Sequence, residues 1–137
     1  MLLRRIACVS VIVWGLALSL SSAEPTLSLG SLLGSATSYQ AHVVTVRGTA
    51  KEIQRLPAFF GGGKCGMVHD SYLFTLEDGT GSVRVEVFGV CRMAGAIAPV
   101  ADGEEVQLQG LFIVHYSGVD TAPLIYTNTF AVKRLAN

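Results

Sequence analysis

The sequence predicts an all-β protein built as a closed five-stranded Greek-key barrel. A short helix precedes the first strand, and another lies between the third and fourth strands. Segments rich in β-branched residues alternate apolar and polar positions, most clearly on either side of the turn Asp78-Gly79-Thr80-Gly81. The elements follow in the order strand, long loop, hairpin, helical connection, strand, loop, strand. Five strands with one helical insert between the third and fourth match a Greek-key barrel.

The N-terminus predicts a secretory signal peptide over residues 1–23. Arg4 and Arg5 precede an apolar run from Ile6 to Leu20, and small residues end it at Ala23. The run is short for a permanent membrane span, which usually needs about 20 apolar residues. We therefore expect an exported protein, periplasmic or secreted. The sequence leaves open whether the segment is cleaved or kept as an anchor.

Cleavage after Ala23 leaves 114 residues, enough for one domain with its own core. It also removes Arg4 and Arg5, so that eight basic residues face ten acidic ones, a net charge of −2. Nucleic-acid binders usually carry a basic surface, so this balance disfavours that class of partner.

Residues 24–41 form a lead segment with a short helix, for which Ser28 is the predicted N-cap. The barrel domain covers residues 42–137. Its first strand is predicted over residues 41–53, with Gly48 marking a bulge or a sharp coil. Residues 54–69 are predicted as a long loop, residues 91–105 as the connection with the second helix, and residues 124–135 as the last strand.

The hairpin fixes a register. If Glu77 pairs with Ser82, the apolar side chains of both strands face the barrel interior, whereas a shift by one residue would expel one set. The inward pairs are then Leu76–Val83, Phe74–Val85 and Tyr72–Val87. The outward set is Ser71, Leu73 and Thr75 beside Arg84, Glu86 and Phe88.

The segments VVTVRGTAKEI, YLFTLEDGTGSVRVEVFG, VADGEEVQLQGLFI and NTFAVKRL together resemble an OB-fold domain of the tRNA-anticodon/helicase nucleic-acid-binding type. The resemblance covers nearly all of the chain after residue 23. It implies the fold and, as one possible function, binding of single-stranded nucleic acid. Such barrels host many ligands, so the resemblance does not determine the ligand.

OB-folds commonly bind through the outer face of the second and third strands and the adjacent loops. Aromatic side chains beside cations would suit stacking of a polymer chain there. The candidate binding face is Phe59, Phe60, Lys64, Leu73, Thr75, Arg84, Glu86 and Phe88. An alternative is that Phe59 and Phe60 simply cover the open end of the barrel.

Cys65 and Cys91 are the two cysteines left after export, and an even count in an oxidising compartment favours a disulfide. The hairpin register carries Cys91 to the level of Val68, three residues from Cys65. Regular strands would point the two side chains to opposite sides, but the glycines from Gly61 to Gly66 make regularity unexpected. We therefore predict a Cys65–Cys91 disulfide.

The competing hypothesis is a soft-metal site for Cu(I) or Ag(I), because thiolate, thioether and imidazole suit these ions. Its ligands would be Cys65, Met67, His69, Cys91 and Met93. In compartment, size and barrel type the chain resembles periplasmic copper- and silver-binding OB-type proteins, although their ligand motif does not match residue by residue.

No catalytic grouping stands out. Asp70 follows His69, but neighbours on a strand point to opposite faces. We expect an exported, non-catalytic binding module of the cell envelope without a cofactor. Its partner is an envelope protein or an oligomeric chain, with a copper or silver carrier and a single-strand nucleic-acid binder as alternatives.

Overall fold

The computed structural model describes residues 25–91, 95, 97–114 and 122–136. The predicted signal segment, Met93 and most of the loop at residues 115–121 lie outside them. The described chain is mostly β-structure with two short α-helices. The helices are α1 (Leu29–Gly34) and α2 (Ala36–Tyr39), with a 3-10 helix at Thr129–Ala131. The strands are β1 (His42–Arg55), β2 (Phe59–Gly62), β3 (Gly66–His69), β4 (Tyr72–Glu77), β5 (Ser82–Phe88), β6 (Val90–Cys91), β7 (Glu105–Ile113), β8 (Leu124–Asn128) and β9 (Val132–Arg134).

Five strands form a closed barrel in the order β1-β4-β5-β8-β7, and β1 closes it by pairing with β7. All pairs in this ring are antiparallel except β5 with β8, which is parallel. The predicted fold class is confirmed as an all-β, OB-like closed barrel. β9 adds a short strand beside β7.

The predicted hairpin register is confirmed. Glu77 pairs with Ser82, and the three inward pairs form as expected. All six inward side chains are buried, because the pleat sends alternate residues of both strands to the same side. They pack in one core with residues from the other barrel strands, including Val46, Val106, Phe112 and Ile125.

β1 is one long strand that pairs with two neighbours, β4 and β7. Thr49 is opposite Glu105 on β7 and also opposite Glu77 on β4. At Gly48 a Cβ atom would collide with the carbonyl oxygen of Glu77, so this position marks a close crossing of two backbones. The bulge lies later, between Lys51 and Gln54, where Glu52 has a φ of 55°. The sharp coil was predicted correctly, but the bulge is displaced from Gly48.

Helix α1 closes one end of the barrel. Ser28 is its N-cap, as predicted, and its side-chain oxygen accepts a hydrogen bond from the backbone N–H of Ser31. Leu29 and Leu32 are fully buried in the barrel core. The Asp78 carboxylate, in the β4–β5 turn, accepts a hydrogen bond from the backbone N–H of Leu29. The helix is therefore attached to the turn as well as packed on the core.

Three predicted elements differ from the structure. The predicted loop at residues 54–69 contains the hairpin β2–β3, which joins β6 in a separate three-stranded sheet. The predicted last strand is broken by the 3-10 helix, because the Asn128 side chain accepts hydrogen bonds from the backbone N–H groups of Phe130 and Ala131. In the β6–β7 connection the described residues form turns and irregular structure instead of helix, while residues 92–94 and 96 lie outside the description.

Candidate functional site

The disulfide between Cys65 and Cys91 is present, with the two Cα atoms 5.1 Å apart. Val68 on β3 is opposite Cys91 on β6, as the hairpin register predicted. Between Cys65 and that pair the chain is irregular: Gly62, Gly63 and Gly66 all have positive φ, which side chains other than glycine rarely adopt. These glycines turn Cys65 towards the Cys91 side of the small sheet. The bridge therefore ties the tip of the β2–β3 hairpin to the strand that leaves β5.

The proposed metal ligands do not converge in the described residues. Cys65 and Cys91 are bonded to each other, so neither sulfur is a thiolate. Met67 and His69 flank Val68 on β3. Because side chains alternate along a strand, they point away from the face that carries Val68 and Cys91. Met93 lies outside the described residues, within which no group of three or more His, Cys, Asp or Glu side chains is arranged to hold a metal ion.

The outer face of β4 and β5 has the predicted neighbours. Leu73 is opposite Glu86 and Thr75 is opposite Arg84, and the Phe88 ring is 41% exposed. The Thr75 hydroxyl donates a hydrogen bond to the Glu52 carboxylate at 3.0 Å. The face thus mixes apolar, polar and oppositely charged groups.

Ser71 does not belong to this face, contrary to the prediction. It is buried, and its hydroxyl oxygen accepts a hydrogen bond from the backbone N–H of Gly89 at 2.9 Å. It precedes the first residue of β4, where the regular alternation that predicted an outward side chain does not apply.

The parallel β5–β8 pairing extends the face over three further strands, β8, β7 and β1. Glu86 on β5 is opposite Tyr126 on β8, Tyr126 is opposite Leu111 on β7, and Leu111 is opposite Val43 on β1. Leu111 is 38% exposed and Val43 is 64% exposed. The row of outward side chains therefore runs across the strands from β1 to β4. We call Val43, Leu111, Tyr126, Phe88 and Leu73 the outer row.

An aromatic stack lies in the middle of the outer row. The rings of Phe88 and Tyr126 have centroids 6.0 Å apart and an interplanar angle of 28°. Desolvation by burial raises the pKa of the Tyr126 phenol, and the nearby Glu86 carboxylate raises it further. The stack thus places a half-buried phenol beside a carboxylate on the outer face of the barrel.

The sequence indicated Phe88 and Leu73 but missed Tyr126, Leu111 and Val43. Each of the three occupies an outward position of an alternating segment, which was a usable signal. What the sequence did not provide is the parallel pairing that places those segments beside β5.

Phe59, Phe60 and Lys64 belong to the β2–β3 hairpin, in a sheet separate from the barrel. Phe60 is 72% exposed, and it is opposite the exposed Met67. Among the described aromatic rings, neither Phe59 nor Phe60 stacks on another. The hairpin therefore presents an apolar tip of its own instead of covering the barrel end with both rings.

Three cations on the described barrel surface are paired with acids. The ion pairs are Arg47–Glu105 at 2.9 Å, Lys51–Glu77 at 2.7 Å and Arg134–Glu104 at 3.5 Å. A hydrogen bond to Glu77, and then its charge, raise the pKa of Lys51. Exposed pairs of this kind contribute little to stability, but they leave no run of unpaired cations across the described strands for a phosphate backbone.

No family model matches the chain, and no curated protein is significantly similar to it. None of the helices in the described parts of the chain is both long and apolar enough to cross a membrane. The argument for function therefore depends on the surface of the barrel itself.

Proposed function

We propose that the protein is an exported, non-catalytic OB-fold module that binds a protein partner in the cell envelope. The binding surface is the outer face of β4 and β5, extended by the outer row over β8 and β7. The observation that carries the proposal is the stack of the exposed Phe88 on the half-buried Tyr126. Tyr126 lies opposite Leu111, which in turn lies opposite Val43.

The chemistry of the outer row favours a protein over a nucleic acid. Exposed aromatic and aliphatic side chains lie side by side across neighbouring strands, and contiguous exposed apolar surface is typical of interaction sites. Tyr and Phe are enriched in the cores of protein interfaces, with charged groups at the rim. Here Arg84 and Glu86 supply charges of both signs beside the stack.

Export is supported by the disulfide, since structural disulfides persist in oxidising compartments, and by the signal-like segment over residues 1–23. Intact-mass measurement and N-terminal sequencing of protein recovered from the envelope or the medium test this part. We expect the N-terminus at Glu24. A full-length chain recovered only from the cytoplasm would contradict it.

The binding face is tested by photo-crosslinking in the producing cells. A benzophenone amino acid replaces Phe88 in one variant, Leu111 in a second, and Phe60 in a third as a control in the separate β2–β3 hairpin. We expect the first two to form an adduct with the same protein and the third to form none with it. Absence of a protein adduct from position 88, or equal adducts from position 60, would overturn the proposal.

A second arm tests the nucleic-acid alternative on purified protein. Nucleic-acid binding would appear as retention on single-stranded DNA that falls steeply with salt, because binding releases counterions. Such retention, if Arg84→Gln abolished it, would contradict the protein-partner proposal. We expect no retention even at low salt.

A further inference from the structure

A groove lies on the barrel surface beside the outer row, between β1, β7 and the C-terminal segment. It has a volume of about 320 Å³, and its lining includes no acidic side chain. That volume is at the lower end of the ~300–1,000 Å³ typical of small-ligand sites. Its lining is Thr45, Gln107, Leu108, Gln109, Asn128, Phe130, Ala131 and Lys133.

Phe130 is 78% exposed, and the backbone that carries it is held by a side chain. The Asn128 side-chain oxygen accepts hydrogen bonds from the N–H groups of Phe130 at 3.0 Å and Ala131 at 3.1 Å. Thr129, on the other side of the turn, is buried. The short helix thus turns Thr129 inwards and Phe130 outwards beside the groove, so the backbone at Phe130 has little conformational freedom left to lose on binding.

The remaining lining groups are hydrogen-bonding side chains on neighbouring strands. Thr45 is opposite Gln109, and Gln107 is opposite Lys133. Hydroxyl and carboxamide groups both donate and accept hydrogen bonds, which matches the vicinal hydroxyls of a sugar. An exposed aromatic ring gives the apolar C–H face of a pyranose a flat surface to pack on.

The charge of the groove is set by Lys133. It forms no ion pair with the described residues, and the nearest cation across the sheet, Arg47, is paired with Glu105. The groove offers the Lys133 ammonium no acidic side chain. A carboxylate on the ligand would be the complementary group.

We propose that this groove binds a glycan chain that carries carboxylate groups. Phe130 packs against one pyranose ring, Gln107, Gln109 and Thr45 bond its hydroxyls, and Lys133 binds the carboxylate. The site is distinct from the outer row, and neither proposal depends on the other.

The probes are a uronic-acid oligosaccharide and a neutral cello-oligosaccharide of the same length, titrated into isotopically labelled protein and followed by NMR. We expect the acidic chain to shift the amide signals of β7 and of residues 128–133, and the neutral chain to bind more weakly. Phe130→Ala should weaken both by about tenfold, as for removal of an interface anchor. Phe60→Ala, which removes an exposed ring from the β2–β3 hairpin, should leave both unchanged.

Lys133→Gln should abolish the preference for the acidic chain, whereas Lys51→Gln, which removes a cation paired with Glu77 elsewhere, should retain it. Equal binding of the two oligosaccharides by the native protein would overturn the acidic assignment. No shift at these amides with millimolar probe, or shifts that Phe130→Ala leaves intact, would overturn the site. The crosslinking experiment at position 88 is independent of this titration. A negative result in the titration therefore does not affect the outer-row proposal.

Discussion

The carboxylate of Asp78 accepts a hydrogen bond of 2.7 Å from the backbone N–H of Leu29, a residue 49 positions earlier in the chain. The other carboxylate oxygen accepts hydrogen bonds from the backbone N–H of Thr80 at 2.8 Å, its hydroxyl at 2.6 Å and the N–H of Gly81 at 3.2 Å. One side chain thus shapes the β4–β5 turn and attaches the helix that closes the barrel.

Replacing Asp78 by alanine should lower the free energy of unfolding by about 2 kcal/mol, because several hydrogen bonds lose their acceptor at once. Urea unfolding followed by circular dichroism measures the change. Glu86→Ala, on the outer face of β5, is the control and should shift stability by less than about 0.5 kcal/mol. Equal effects of the two substitutions would contradict the role of Asp78.

The same carboxylate should make stability depend on pH. Desolvation by burial raises the pKa of Asp78, but the hydrogen bonds from Thr80, Leu29 and Gly81 lower it, and the net shift is below the ordinary value of 3.8. A folded-state pKa below the unfolded one contributes stability that is present above pH 3.8 and is lost as the pH falls through the folded value.

We therefore expect the stability gap between the native protein and Asp78→Asn to be constant from neutral pH down to about pH 5 and to shrink below pH 3.8. Thermal unfolding of both proteins across this range measures the gap. A gap that stays constant down to the lowest pH at which both proteins fold would show that the carboxylate charge does not matter.

Two glycines provide a matched pair of substitutions. A Cβ at Gly48 would collide with the Glu77 carbonyl, whereas a Cβ at Gly34 would meet nothing within 4 Å. Gly48→Ala should cost at least about 3 kcal/mol or prevent folding, since backbone has to move. Gly34→Ala, in helix α1, should be neutral or stabilise by up to about 1 kcal/mol. Similar chemical-unfolding midpoints for the two would be inconsistent with the close crossing at Gly48.

The disulfide closes a stretch with a sequence separation of 26 residues, for which loop-closure entropy gives a stabilisation of about 2–4 kcal/mol. Cys65→Ser combined with Cys91→Ser should show this loss in urea unfolding. Amide exchange should accelerate mainly in β2 and β3, because the bridge lies in the three-stranded sheet that is separate from the barrel. Uniformly faster exchange throughout the barrel would show instead that the bridge holds the whole fold.

Thiol titration separates the disulfide from the Cu(I) or Ag(I) hypothesis. Protein that begins at Glu24 and is purified without reductant should show no reactive thiol after denaturation, since Cys65 and Cys91 are oxidised. Two thiols that disappear on addition of Cu(I) would favour the metal carrier. Mass spectrometry after alkylation provides an independent count.

The sequence was sufficient where local alternation fixes the answer. Only one register of the β4–β5 hairpin buries both apolar sets, and that register also brought Cys91 to Val68 and so predicted the disulfide. Local signals were insufficient for β2 and β3, because proline and glycine around Phe59 and Gly66 are typical of loops and the strands form only when β6 pairs with them. Only Phe88 and Leu73 of the outer row were predicted, since the other members are placed beside them by the parallel pairing of β8. The groove was not predicted, since it depends on the Asn128 cap that turns Phe130 outwards.

The parallel pairing of β5 with β8 also determines when the barrel can close during folding. Leu124 pairs with Arg84, a residue 40 positions earlier in the chain, so the ends of a long chain segment must meet before any contact between them adds stability. A nascent chain that has not yet exposed β8 can form the β1–β4–β5 meander but cannot close the ring. The barrel can therefore close only after the C-terminal strands have emerged.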